Sequence, residues 1–189
     1  ISDTSPRQAL ERKGLPKGGA DAMMHAPQGG ADVHRQPNSR MCFVCGMQNP
    51  IGLKLIFEGD GERVWAKFTA GEEHQGYPGV LHGGITFALL DEVIGRAAME
   101  LDESSPWMMT AKAEMRYRKP IPIGEELTLM GELTRIRSRA VEGRGELRLS
   151  DGTVAVEASA MYVKVPESLA EEMKDEMEEE MKYWRVVED

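Results

Sequence analysis

The longest apolar segment of the chain spans residues 83–99 and carries Ile85, Phe87, Ala88, Leu89, Leu90, Val93, Ile94, Ala97 and Ala98. Apolar positions that recur at three and four residues, almost all round the axis, predict one helix buried against a sheet. On either side the pattern changes to strands and turns. Residues 53–58 and 62–68 flank Gly59-Asp60-Gly61 and predict a hairpin. Residues 110–119, 125–139, 141–149 and 153–165 follow as longer strands, with a two-residue turn at Asp151-Gly152 expected between the last two. In the third of these, Val141, Gly143, Gly145, Leu147 and Leu149 share one face, while Glu142, Arg144, Glu146 and Arg148 share the other. One side of that sheet therefore meets water.

The two ends differ from this middle and from each other. Residues 1–40 are rich in Gly, Pro, Ala and Gln without any period, and predict a poorly ordered leader. After Pro166, Leu169, Met173, Met177, Met181 and Trp184 recur at steps of four or three among carboxylates, which predicts one amphipathic helix over residues 166–189. Residues 41–165 are then a single domain of α+β class, one long helix among antiparallel strands.

The chain has 23 Lys plus Arg against 32 Asp plus Glu, a formal net charge of −9. Phosphate backbones require basic surfaces, so a nucleic-acid partner is not expected. By segment the balance is +2 over residues 1–40, −4 over 41–165 and −7 over 166–189, so most of the acidity lies on the last helix. Residues 116–148 go the other way, with eight basic and five acidic side chains. No run approaches the roughly 18 apolar residues of a membrane span. The first residues, Ile1-Ser2-Asp3, lack the basic-then-apolar order of a secretory signal, and with only two cysteines a cytoplasmic protein is expected.

Within the apolar helix Asp91 is out of place, because its neighbours at three and four residues are Phe87, Ala88, Ile94 and Gly95. A carboxylate on such a face needs donors or a function, since unpaired burial is costly or raises its pKa. Glu92 has Arg96 four residues on and reads as half of a surface ion pair. Cys42 and Cys45 have the spacing of half a zinc site, but no second Cys or His pair follows at suitable spacing. They read as a tight turn before the first strand, with incidental redox chemistry or pairing across two subunits as alternatives, and no metal is expected.

His82-Gly83-Gly84 followed by Asp91 resembles the signature of the hotdog-fold acyl-CoA thioesterases, in particular the phenylacetate-pathway (PaaI-like) branch. The resemblance extends through Cys42-Phe43-Val44-Cys45-Gly46, Asn49-Pro50-Ile51-Gly52-Leu53, His74-Gln75-Gly76-Tyr77-Pro78-Gly79, Thr110-Ala111-Lys112 and residues 117–125. It covers nearly all of 41–165. It implies a long helix wrapped by a curved antiparallel sheet, in a dimer or dimer of dimers with active sites at the subunit interface. It also implies hydrolysis of an acyl-CoA to free acid and CoA, with no cofactor beyond the coenzyme A of the substrate.

The resemblance assigns residues as well. Gly83 would supply an oxyanion-binding amide from the first helix turn, where backbone donors are unsatisfied and the helix dipole is positive. Asp91 of the opposite subunit would be general base or nucleophile, Thr110 would hold the water, and His82 would orient the glycine turn or the substrate. Gly84 and Gln75 would line the substrate site. Gly76 stands where several relatives carry an Asn or Gln that assists carbonyl polarisation. Arg116, Arg118 and Lys119, with Arg135, Arg137 and Arg139 on one strand face at period two, could hold the phosphates of coenzyme A. Phe87, Leu90, Trp107 and Met108 could line an acyl pocket. Two other readings stay open: a non-catalytic acyl-CoA-binding or protein-binding module, and a 3-hydroxyacyl-thioester dehydratase using His74 with Asp91 or Glu92.

Overall fold

The computed structural model describes residues 33–101 and 107–188. Nine strands and three α-helices are found there: β1 His34–Arg35, β2 Phe57–Gly59, β3 Arg63–Thr69, β4 Gln75–Tyr77, β5 Val80–Leu81, α1 Gly83–Arg96, β6 Met108–Tyr117, β7 Glu126–Ile136, β8 Ala140–Arg148, β9 Val154–Lys164, α2 Glu167–Glu172 and α3 Lys174–Met181. Seven strands form one antiparallel sheet in the order β1-β2-β3-β7-β8-β9-β6, and β4 and β5 form a separate small ribbon. The sheet wraps α1 as the apolar pattern predicts. Leu89, Leu90, Val93 and Ile94 of the helix are completely buried against Leu127, Leu129, Leu147 and Val156 of the sheet.

Close approach of helix and sheet depends on three glycines. A β-carbon on Gly131 would lie 2.5 Å from the Val93 carbonyl oxygen, and one on Gly143 or Gly145 would lie 2.5 or 2.7 Å from Ile94. Gly131 and Gly145 are paired across β7 and β8, so the bare backbone forms a continuous trough under the helix. No other residue type leaves that space empty.

Several expectations are corrected. The helix closes at Arg96 rather than Met99, and residues 97–99 continue as tighter turns with Ala98 and Met99 amides bonded three residues back. The β8–β9 turn has three residues instead of two. Leu149 and Thr153 close it, Gly152 takes φ +82°, and Asp151 accepts the Thr153 amide at 2.8 Å. A three-residue loop with glycine at the left-handed position is the common alternative to the two-residue form. Strand β7 ends at Ile136 after an irregularity between Leu133 and Arg135, which takes Arg137 and Arg139 off the strand.

Of the expected leader, residues 1–32 lie outside the described residues, but residues 33–40 are ordered and lead with a strand of the sheet. His34–Arg35 pairs with β2, and Asn38 is buried, donating to the carbonyls of Cys45 and Leu55 at 2.8 and 2.7 Å. The tail is two short helices broken at Met173, not one. Glu167, Glu171, Glu172, Asp175 and Glu176 place like charges four apart around the break, which weakens a continuous helix. The turn brings the chain back so that Arg185 bridges to Asn38 and Trp184 lies near Arg96.

The Glu92–Arg96 pair is not on the surface. Arg96 is 2% exposed, its guanidinium 4.4 Å from the Phe57 ring centroid and 5.5 Å from that of Trp184. It donates to Glu92 and to the Pro37 carbonyl, both at 2.9 Å. Among the described residues no helix is long and apolar enough to cross a membrane.

Candidate active site

His82 precedes α1 with extended backbone angles and caps it, its Nδ1 accepting the Gly84 amide at 2.9 Å. The cap satisfies one of the helix's orphan donors and requires an unprotonated Nδ1. Gly84 is bare for this reason, since a β-carbon there would sit 3.0 Å from that nitrogen. With the Gly84 amide engaged, the Gly83 amide is the donor without an acceptor among the described residues. Space above Gly83 is open: a β-carbon would make only ordinary contact with Tyr117, at 3.6 Å. The Tyr117 hydroxyl donates to the Gly83 carbonyl at 2.6 Å and ties the first turn to the end of β6.

Leu81, Gly83, Thr86, Tyr117, Arg118 and Lys119 border an open hollow of about 390 Å³. Gly76 backs onto the same turn. A β-carbon on it would lie 3.1 Å from the His82 ring, so a side chain at this position would press on the cap. Gln75 accepts the Gly79 amide at 3.2 Å and braces the β4–β5 ribbon. His74 accepts the Gly71 amide through Nδ1 at 3.0 Å and packs on Phe68.

Asp91 lies two turns further along α1, half-buried. The Thr110 hydroxyl reaches both carboxylate oxygens, at 3.0 and 3.1 Å. The Tyr162 hydroxyl lies 2.7 Å from the Asp91 carbonyl and 3.2 Å from Oδ1. Burial pushes the Asp91 carboxyl above its usual range, while the two hydroxyls favour its ionised form and oppose the shift. Tyr162 is the residue that sequence reasoning missed. It stands in a strand as an ordinary buried aromatic, and only the β8–β9–β6 register brings it level with Thr110 and Val141.

Eight residues of helix separate Gly83 from Asp91, about 12 Å of rise. Within one chain the two cannot meet at one carbonyl group. The basic residues also divide. Arg118 and Lys119 border the Gly83 hollow, while Arg135 lies level with Glu142, Met161 and Lys112, about 20 Å along the sheet. Arg116 is level with Glu157, the carboxylate that pairs with Arg118, and Arg137 pairs with Glu142 at 3.0 Å. The six are not one patch in a single chain, and β6 carries the first group on a sheet edge. Of the apolar candidates, Leu90 is core and Trp107 packs near Trp184, whereas Phe87 is 40% exposed, one helical turn before Asp91.

An antiparallel sheet wrapped round one buried helix, with a bare glycine amide at the helix start and a hydroxyl-bound carboxylate on its flank, defines the hotdog class. Residues 78–156 match the family model described as the thioesterase superfamily. The chain is 25% identical over 126 residues to the acyl-coenzyme A thioesterase THEM4 of Rattus norvegicus, covering 65% of this chain and 53% of that one. It thus spans about half the length of the relatives it matches. The crystal structure of a thioesterase superfamily protein is 35% identical and superimposes with a TM-score of 0.59 over 66% of this chain and 61% of the other. The Escherichia coli PaaI protein of the phenylacetic acid degradation operon shares the fold, with a TM-score of 0.54 at 13% identity over 60% and 81% of the two chains.

Proposed function

We propose that the chain is an acyl-CoA thioesterase that hydrolyses an acyl-CoA to free acid and CoA. The observation that carries this reading is the half-buried Asp91 carboxylate held by the Thr110 and Tyr162 hydroxyls. Asp91 acts as general base. It takes a proton from water, whose oxygen attacks the thioester carbonyl; the C–S bond then breaks, and the protonated Asp91 carboxyl returns its proton to the departing CoA thiolate. A carboxyl raised by burial is better matched to proton transfer near neutral pH than an ordinary one. The Thr110 hydroxyl fixes the carboxylate and supplies an oxygen to which the attacking water bonds. Gly83 of a second copy stabilises the oxyanion with its amide, because the amide of the same chain is about 12 Å away. His82 keeps that amide presented by capping the turn.

The protein therefore works as a homodimer, or a dimer of dimers, in the cytoplasm. In it the Arg118 and Lys119 of one chain and the Arg135, Arg137 and Arg139 of the other are brought toward the same CoA phosphates. Arg116, Gly84 and Gln75 are the further candidates for substrate contact. The dehydratase reading needs His74 as an acid or base, and its imidazole is engaged by Gly71 and Phe68. Thiol release from a panel of acyl-CoAs tests the proposal. Asp91→Asn or Asp91→Ala is expected to lower the best substrate's kcat by roughly 10²- to 10⁴-fold. Unchanged thiol release in either variant would refute the role of Asp91.

A further inference from the structure

We propose that Cys42, Cys45 and Glu92 form a binding site for one zinc-class divalent cation, which fastens the loop before β2 to helix α1 beside Asp91. One ligating atom from each residue lies within 4.8 Å of the other two. The Cys42 sulfur is 3.7 Å from Glu92 Oε2, although the residues are 50 positions apart. Tetrahedral zinc with bonds of about 2.3 Å to sulfur and 2.0 Å to oxygen sets its ligands about 3.5–3.8 Å apart. The cluster is therefore near the size one ion requires. Two thiols alone give half a zinc site; the fold supplies the third ligand from the helix.

The surroundings are those of a thiolate site. The Val44 amide donates to the Cys42 sulfur at 3.3 Å, and the Ser39 hydroxyl lies 3.3 Å from the Cys45 sulfur. Gly46 closes the knuckle, where a β-carbon would fall 2.3 Å from the Cys42 carbonyl oxygen. Donors to sulfur and tight turns of this kind hold cysteine ligands in place. Glu92 divides its two oxygens, Oε1 accepting from Arg96 Nε at 2.9 Å and Oε2 facing Cys42. Arg96 thereby orients the carboxylate from outside the cluster.

Charge is compatible with the ion. Arg96 is 2% exposed, and its Nη2 has no hydrogen-bond partner among the described residues. A buried guanidinium of this kind calls for net negative charge beside it. Two thiolates, one carboxylate and a divalent cation sum to one negative charge, which Arg96 neutralises. The half-buried Cys42 leaves one side of the cluster open, where a water completes four-coordination. Sulfur ligands select zinc or another thiophilic ion over magnesium or calcium.

The full chain is purified without chelator, dialysed, and assayed for bound metal by mass spectrometry. About one zinc per chain is expected in the wild type, falling to roughly a tenth or less in Cys42→Ser. Should the variant not fold, Co²⁺ titration of metal-stripped wild-type protein replaces it. A thiolate-to-cobalt charge-transfer band saturating at one equivalent, and abolished by prior alkylation of the thiols, supports the site. Zinc retained equally by folded Cys42→Ser, absence of both retained zinc and the cobalt band, or a Cys42–Cys45 disulfide in the native protein would each overturn it. The metal assay does not depend on thioester hydrolysis, so the two proposals fail separately.

Discussion

Removing the Tyr162 hydroxyl tests the carboxylate's environment with little change in shape. Tyr162 is 3% exposed, and its ring touches the helix where a β-carbon on Gly95 would lie 3.2 Å away, so Tyr162→Phe keeps the packing. What disappears is one donor shared between the Asp91 carbonyl and Oδ1. A hydrogen bond to a charged group contributes about 1.5–3 kcal/mol, and the shared geometry points to the low end, about 1.5 kcal/mol. At 1.36 kcal/mol per pH unit, losing it raises the acid limb of the kcat/KM profile by about one unit. The sign follows from the ionised form being the base: the hydroxyl favours it, and without the hydroxyl a higher pH is needed to reach it. Thiol release from a preferred acyl-CoA, followed from acid to neutral pH in wild type and variant, measures the shift. An acid limb that stays put or moves down, in a variant that remains folded, would refute the assignment of Tyr162 to the base.

Other expected outcomes concern the same helix. Asp91→Asn should be more heat-stable than wild type at neutral pH. The folded-state pKa is raised by burial, so both proteins are alike below about pH 4, and the wild type loses stability as pH rises through the folded value. Scanning fluorimetry across pH reads this, and a difference that shrinks with rising pH contradicts it. His82→Ala should lose about 1 kcal/mol from the missing cap, with a fall in kcat, and His82→Asn should restore both because asparagine caps helices well. Denaturant melts and steady-state kinetics separate this from acid/base chemistry, which asparagine could not restore.

The helix and the strand cores were legible because their periods of 3.6 and 2 survive in the sequence. Asp91 was legible as a violation of that period. Thr110 is an unremarkable strand residue and entered only through the resemblance. Tyr162 and Arg96 were misjudged for a shared reason. Their partners lie 71 residues away in the case of Tyr162–Asp91, and on Phe57, Pro37 and Trp184 for Arg96, beyond any local pattern. Residues 33–40 failed differently. Asn38 and Gln36 are buried polar side chains held by backbone carbonyls and by Glu100, and such a segment has no hydrophobic repeat to display. The tail's apolar stripe predicts one amphipathic helix, but Met173 and Met181 of that stripe are exposed, and the break at Met173 depends on repulsion and on where Trp184 must go.

The trough of Gly131, Gly143 and Gly145 seats α1 on the sheet through Val93 and Ile94, the latter one turn from Asp91. Ordinary contact with the Val93 carbonyl oxygen needs about 3.4 Å, and a β-carbon on Gly131 would stand at 2.5 Å. A methyl group there would shim the helix outward by nearly an ångström. The Thr110–Asp91 bonds, now 3.0 and 3.1 Å, would then stretch past hydrogen-bonding range. The aim of the carboxylate is thus set partly by atoms that are missing from the sheet beneath its helix, where a substitution touching no functional group would detune the site like a thicker washer under a lens.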